Sequence, residues 1–265
     1  MCFESLANGT ARTMLCFMIR RTWLLAAVFT PLLFLPSCAP VPQGVGAERA
    51  ADLSFLPERP QKGRLFHVYN PSGPSLRTNN WTSRFDLSGV SWNDPRTVTA
   101  ISPVHVVMAA HYVRPTFTPV VFHDHNGQMH SRKITRVMPL GEGIDITVGL
   151  LDQPLPPGVA KYRIATAADL APMQLVLVTD QTMTLSLHRL GGIDSQRVIL
   201  GNDPQIPRGY WRKLVTGDSG NPAFVLRGGE LLLLTTFTSG GSGSGPFYGD
   251  PKVRAALDRA ITRLR

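Results

Sequence analysis

The chain has 265 residues, 43% of them hydrophobic and 17% charged, so it can bury a sizeable core and is not a disordered polymer. Its net charge of +9 favours acidic surfaces such as anionic lipid or polyanionic wall polymers. No Lys/Arg run with interleaved aromatics is present, so no nucleic-acid partner is expected. The three cysteines, Cys2, Cys16 and Cys38, all precede the globular part, which excludes a disulfide-stapled domain and leaves stability to core packing.

Residues 18–38 place Arg20 and Arg21 before an apolar run that ends in small residues, the pattern of a secretory signal. Pro31 and Pro36 argue against a stable spanning helix there. Leu35-Pro36-Ser37-Cys38 resembles a bacterial lipobox, which implies lipidation at Cys38 and anchoring to a membrane in the cell envelope. Ordinary signal cleavage is the alternative. Residues 39–62, rich in Pro, Gly, Ala and charge, read as a tether.

From Gly63 the pattern turns strand-like. The 24 Gly and 22 Pro of the chain suit an all-β protein with many turns. Strands are expected over 64–69, 83–90, 97–101 and along the apolar run 106–110. The clearest hairpin is 120–134, where Asn126-Gly127 predicts a two-residue turn. That turn sets His125 opposite Gln128 and His123 opposite His130, and alternation puts His123, His125 and His130 on one face. Three imidazoles on one face are either a zinc-ligand set or the wet outer face of a hairpin. The pattern implies no further ligand, which favours the wet face. Further strands are expected over 174–179, 183–190, 197–200, 223–226 and 230–238. Asp250-Pro251 reads as a helix start with Asp as N-cap, and Val253, Ala256, Leu257, Ala260, Ile261 and Leu264 follow a helical stripe.

Three blocks carry chemistry. Thr216-Gly217-Asp218-Ser219-Gly220-Asn221-Pro222 frames a serine with glycines and an acid. A tight turn there aims the N–H groups of Gly217 and Ser219 at one point, an oxyanion hole. A serine hydroxyl needs a base to remove its proton. Val106–His111 ends an apolar strand in Ala109-Ala110-His111, and Asp145-Ile146 opens another that reaches Leu151. His105 and Asp152 are weaker rivals, the first lacking small neighbours and the second lying in a Pro-rich linker.

These blocks resemble the trypsin-like (chymotrypsin-fold) serine peptidases, with histidine, aspartate and serine in the family's order. The resemblance covers roughly residues 62–250. It implies an all-β fold of two six-stranded antiparallel β-barrels of chymotrypsin type with a C-terminal helix. The first barrel falls at about 63–152, the second at about 160–250 and the helix at 251–265. It implies His111 as base, Asp145 as its orienting acid, Ser219 as nucleophile and no cofactor. The activity implied is a serine endopeptidase acting on protein or peptide; the alternative is an inactive binding module displayed as a surface lipoprotein on the same fold. Met108, Tyr112, Asn221 and Gly149 depart from the family's usual residues, none of them removing a catalytic atom.

The resemblance also implies a substrate pocket built around Lys213, six residues before the serine, with Thr236, Ser239 and Gly240 on the opposite wall. A lysine there disfavours cleavage after Arg or Lys. An inward Lys213 favours an acidic side chain, and an outward one a small or apolar side chain. Asp218 in the family pairs with a new N-terminus. No Ile-Val-Gly-Gly start exists here, so an internal Arg or Lys, or a hydrogen-bonded neighbour, is expected to hold it. Cleavage between Arg64 and Leu65 is the rival route.

Overall fold

The computed structural model describes residues 52–141, 143–239 and 244–265. The signal, Cys38 and the first part of the expected tether lie outside these residues, as does Gly240.

The fold is all-β, with two six-stranded antiparallel barrel-like sheets and a C-terminal helix, the two-barrel arrangement of the chymotrypsin type. A short ribbon precedes them, β1 (Phe66–Val68) paired with β2 (Leu76–Arg77). The first barrel comprises β3 (Val90–Ser91), β4 (Val98–Ala100), β5 (His105–Ala109), β6 (Pro119–His123), β7 (Met129–Gly141) and β8 (Ile144–Leu151), in the order β3-β4-β5-β8-β7-β6. The second comprises β9 (Leu175–Thr179), β10 (Leu185–Asp194), β11 (Arg197–Gly201), β12 (Pro222–Arg227), β13 (Glu230–Thr236) and β14 (Ser244–Pro246), in the order β13-β12-β9-β10-β11-β14.

Each sheet curls until its edges meet. Asn93, just after β3, accepts the Val121 N–H (3.0 Å) and donates to the Pro119 carbonyl (3.0 Å), bridging β3 to β6. In the second barrel the Thr235 hydroxyl of β13 donates to Pro246 of β14 (2.8 Å). With these closures the strands of both barrels follow one cyclic order: first, second, third, sixth, fifth, fourth. The two halves of the chain therefore share a topology, although their sequences show no repeat.

Periodicity explains the strands. β5 and β9 read as continuous apolar runs and are buried along their whole length, as expected of strands covered on both faces. The largest core cluster joins residues of both barrels, including Val107, Ile146, Leu177 and Phe224, to the helix face Val253, Ala256, Leu257 and Ala260. That helix, α1 (Pro251–Arg263), starts as the sequence predicts. The Asp250 carboxylate accepts the N–H groups of Lys252 and Val253, and Pro251 occupies the first turn.

Three local expectations are corrected. The stretch 83–90 is mostly not strand. Asn80 caps a 3-10 turn over Trp81–Arg84 by accepting the Thr82 N–H and hydroxyl, and only Val90 enters a strand. The 120–134 hairpin turns in three residues, not two. Asp124 Oδ1 accepts the N–H groups of Asn126 and Gln128, and Gly127 at φ +77° completes the turn. That extra residue slips the register by one, so His123 faces Met129 and Phe122 faces His130. The three imidazoles consequently part. His123 is buried, its Nε2–H donating to the carbonyls of Asn70 and Gly73 (3.0 Å each). His130 meets the Asp124 carboxylate (3.0 Å), and His125 is exposed. Neither the shared wet face nor the zinc set forms.

Residues 52–62, expected as the end of a tether, lie against the barrels. Phe55 packs on Trp81 and Phe85, Asp52 pairs with the buried Arg189, and Tyr210 donates to the Pro57 carbonyl (2.9 Å).

Candidate active site

Strand pairing assembles half of the site. β5 runs antiparallel to β8 with Ala109 opposite Ile146, so the chain leaving β5 passes the start of β8. Ala110-His111-Tyr112 form a single 3-10 turn there, and Asp145 stands one residue before Ile146. The Asp145 carboxylate takes two bonds from one residue: Oδ1 from the His111 backbone N–H (2.8 Å) and Oδ2 from His111 Nδ1 (2.6 Å). A carboxylate only accepts, so Nδ1 carries the proton and the Nε2 lone pair faces outward. Across from it stands Ser219 Oγ, 2.9 Å away, in the turn that leads into β12 of the other barrel. An acid, an imidazole and a hydroxyl thus form one hydrogen-bonded chain in which the imidazole can accept the hydroxyl proton. The His111 side chain is 45% exposed and that of Asp145 30%, so the chain opens to solvent and to a substrate.

The serine turn is held from behind. Asp218 is fully buried, and among the described residues no cation pairs with it. Its Oδ1 accepts the Gln181 N–H (3.1 Å) and its Oδ2 the Val215 N–H (2.8 Å). Asp218 is therefore held by hydrogen-bonded neighbours, with backbone donors replacing a charge. Leu65 is itself buried, with its N–H on the Met183 carbonyl (3.0 Å), so a chain end made at Leu65 would first have to leave that bond.

Asn221 is buried at a junction. Its Nδ2 donates to the Asp218 carbonyl (3.1 Å). Its Oδ1 accepts from Trp92 Nε1 of the first barrel (3.3 Å) and, at 3.4 Å, from Thr179 Oγ1 of the second. The side chain ties the serine turn to both barrels. Gly217 has φ +99°, a conformation that favours glycine.

Of the expected pocket residues, Lys213, Thr236 and Ser239 are among those described. Lys213 is exposed and lines a cavity with Asn202, Asp203, Pro204, Ile206 and Trp211, a group that includes neither Thr236 nor Ser239. Thr236 is fully buried, and its hydroxyl accepts from Tyr248 (2.8 Å). Ser239 instead meets a cation that the sequence did not flag. Arg197 Nη2 donates to the Ser239 hydroxyl (2.7 Å), and Nε to that of Ser244 (2.9 Å).

The rivals are accounted for. His105 is buried with Nδ1 on the Ser102 hydroxyl (2.8 Å), and burial, then the Arg265 charge, hold its pKa below the usual histidine value. Asp152 accepts the Lys133 N–H (2.9 Å). Among the described residues no group of His, Cys, Asp or Glu is arranged to hold a metal ion.

Gln181, Asn221 and Arg197 escaped the sequence. Asn221 stands beside the serine block and shows there only as a departure. Gln181 and Arg197 belong to no motif, because their partners lie 35 to 47 residues away in the chain.

No family model matches the chain, and no curated protein matches it.

Proposed function

We propose that this chain is a serine endopeptidase of the trypsin-like type. The observation that carries the reading is the hydrogen-bonded series Asp145–His111–Ser219, with Nδ1 committed to the acid and Nε2 at 2.9 Å from the hydroxyl. Ser219 Oγ attacks the scissile carbonyl while its proton passes to His111 Nε2. The Gly217 and Ser219 N–H groups take the oxyanion. His111 then gives the proton to the leaving amine, and water hydrolyses the acyl-enzyme by the same steps. Asp145 keeps the tautomer and stabilises the imidazolium. The residues need no cofactor for these steps.

A fluorophosphonate probe tests the reading without knowledge of the substrate. Covalent labelling of Ser219 is expected. A folded protein that stays unlabelled points instead to an inactive binding module on the same fold.

The proposal extends to place. An exported protein held in the cell envelope by lipid on Cys38 fits the signal pattern ending at that residue. Among the described residues no helix is long and apolar enough to cross a membrane. Replacing Cys38 with Ser is expected to move the protein from the membrane to the soluble fraction or to block its processing. Mass spectrometry showing an unmodified mature N-terminus elsewhere overturns the anchor.

A further inference from the structure

Gln181 sits in the tight turn between β9 and β10 and reaches the serine turn three times. Its backbone N–H donates to Asp218 Oδ1 (3.1 Å). Its side-chain Nε2 donates to the Thr216 carbonyl (3.2 Å). Its carboxamide lies against Gly217, where an added Cβ would stand 2.6 to 2.9 Å from Oε1, Nε2 and Cδ. Nothing in the triad requires these contacts.

The Thr216 carbonyl and the Gly217 N–H belong to one planar trans peptide and point in opposite directions. Holding the oxygen on the Gln181 side therefore aims the Gly217 N–H the other way. If that peptide turned over, an acceptor oxygen would replace the donor, and a developing oxyanion would meet repulsion. Glycine at 217, with φ +99°, has an unusually soft backbone, so the peptide plane needs an outside restraint. Asp218 accepts the Val215 N–H and donates its own N–H to the Val215 carbonyl, closing the turn around Thr216 and Gly217, but it does not hold the Thr216 carbonyl itself.

We infer that Gln181 is a positioning residue that locks the Thr216–Gly217 peptide so that the Gly217 N–H serves as an oxyanion donor. The inference rests on the reading of Ser219 as nucleophile. Gln181 touches no reacting atom; it acts through the peptide it holds. Losing one oxyanion donor costs on the order of 10²–10³-fold in rate. A peptide left free to turn over keeps the donor part of the time, so about 10- to 100-fold is expected on removing the lock.

The test is saturation kinetics of fluorophosphonate labelling on the full chain. In that reaction Ser219 Oγ forms a bond to phosphorus, fluoride leaves, the hydroxyl proton passes to His111, and the phosphoryl oxygen uses the oxyanion donors. Gln181→Glu keeps the side chain's size and the backbone bond to Asp218 but replaces the donor with a carboxylate that repels the Thr216 oxygen. Gln181→Ala removes the side chain and serves if the first variant does not fold. The limiting labelling rate is expected to fall about 10- to 100-fold, with the half-saturating probe concentration within about twofold of wild type. A merely structural role would instead lower the thermal midpoint and leave the labelling rate of the folded fraction unchanged. A folded variant that labels as fast as a labelled wild type overturns the inference alone. A folded wild type that does not label overturns both the inference and the reading beneath it.

Discussion

Met108 fills the space that Gly149 leaves free. The two stand on neighbouring strands of the first barrel, and a Cβ added at Gly149 would lie 3.0 Å from Met108 Cε, 3.0 Å from Val106 Cγ2 and 3.2 Å from Ile134 Cγ2. Met108 is fully buried, and its sulfur accepts the Arg114 N–H (3.3 Å). Met108 and Gly149 thus exchange volume between diagonal positions of neighbouring strands.

Gly149→Ala therefore overpacks the first barrel. It is expected to destabilise by about 1–3 kcal/mol, against the small gain that alanine normally brings over glycine in a strand. Met108→Thr opens space, and the double variant is expected to recover part of the loss. Urea unfolding of the four proteins measures the coupling. Strictly additive effects would show that the two residues do not share the space.

The proposed chemistry makes a separate claim on the triad. Ser219→Ala and His111→Ala are each expected to lower turnover by at least about 10³-fold with the fold intact. Asp145→Asn should cost on the order of 10⁴-fold, because an amide no longer dictates the Nδ1–H tautomer. Full turnover in the Ser219→Ala protein would refute the mechanism.

Acid sensitivity of the fold should trace in part to His188. It is buried in β10 beside the Ser186 hydroxyl and the Trp211 ring. Burial, opposed only in part by a backbone bond at Arg212, pushes its pKa down from the ordinary 6.5 to about 4. The unfolded chain then binds this proton more tightly than the folded one. Its contribution to stability is whole above pH 6.5 and is lost as pH falls from 6.5 towards about 4. The loss is on the order of 3 kcal/mol. Chemical denaturation of wild type and His188→Gln across that window should show wild type losing this extra amount. Parallel curves would mean that His188 is already charged in the fold.

Substrate preference follows from what surrounds Ser239. Lys213 points to solvent, Arg197 bonds the Ser239 hydroxyl, and the carboxylate of Asp218 is spent on two backbone N–H groups. On the proposed reading Asp218 is not free to receive a basic side chain, and the Arg197 guanidinium stands beside Ser239. Peptides differing only in the residue before the cut should favour small or apolar side chains over Arg or Lys. A strong preference for Arg or Lys would overturn this account of the pocket.

Elements whose cause is local were legible in the sequence. The apolar runs of β5, β8 and β9 fold as strands because alternation or continuous hydrophobicity leaves little else. α1 starts at Asp250-Pro251 because the cap and the first-turn proline act within one turn. His111, Asp145 and Ser219 were legible as candidates because glycines and alanines frame them over a few residues. Tertiary structure decided the rest. The Asp124 carboxylate outcompeted the Asn-Gly turn and slipped a register, scattering three histidines. The direction of Lys213 depended on how the 202–214 loop packs, which no short pattern encodes. Gln181 and Asn221 matter only through partners on other elements. The shared cyclic order of the barrels left no repeat in the sequence, because pairing restricts which strands adjoin and many apolar residues satisfy each strand equally well.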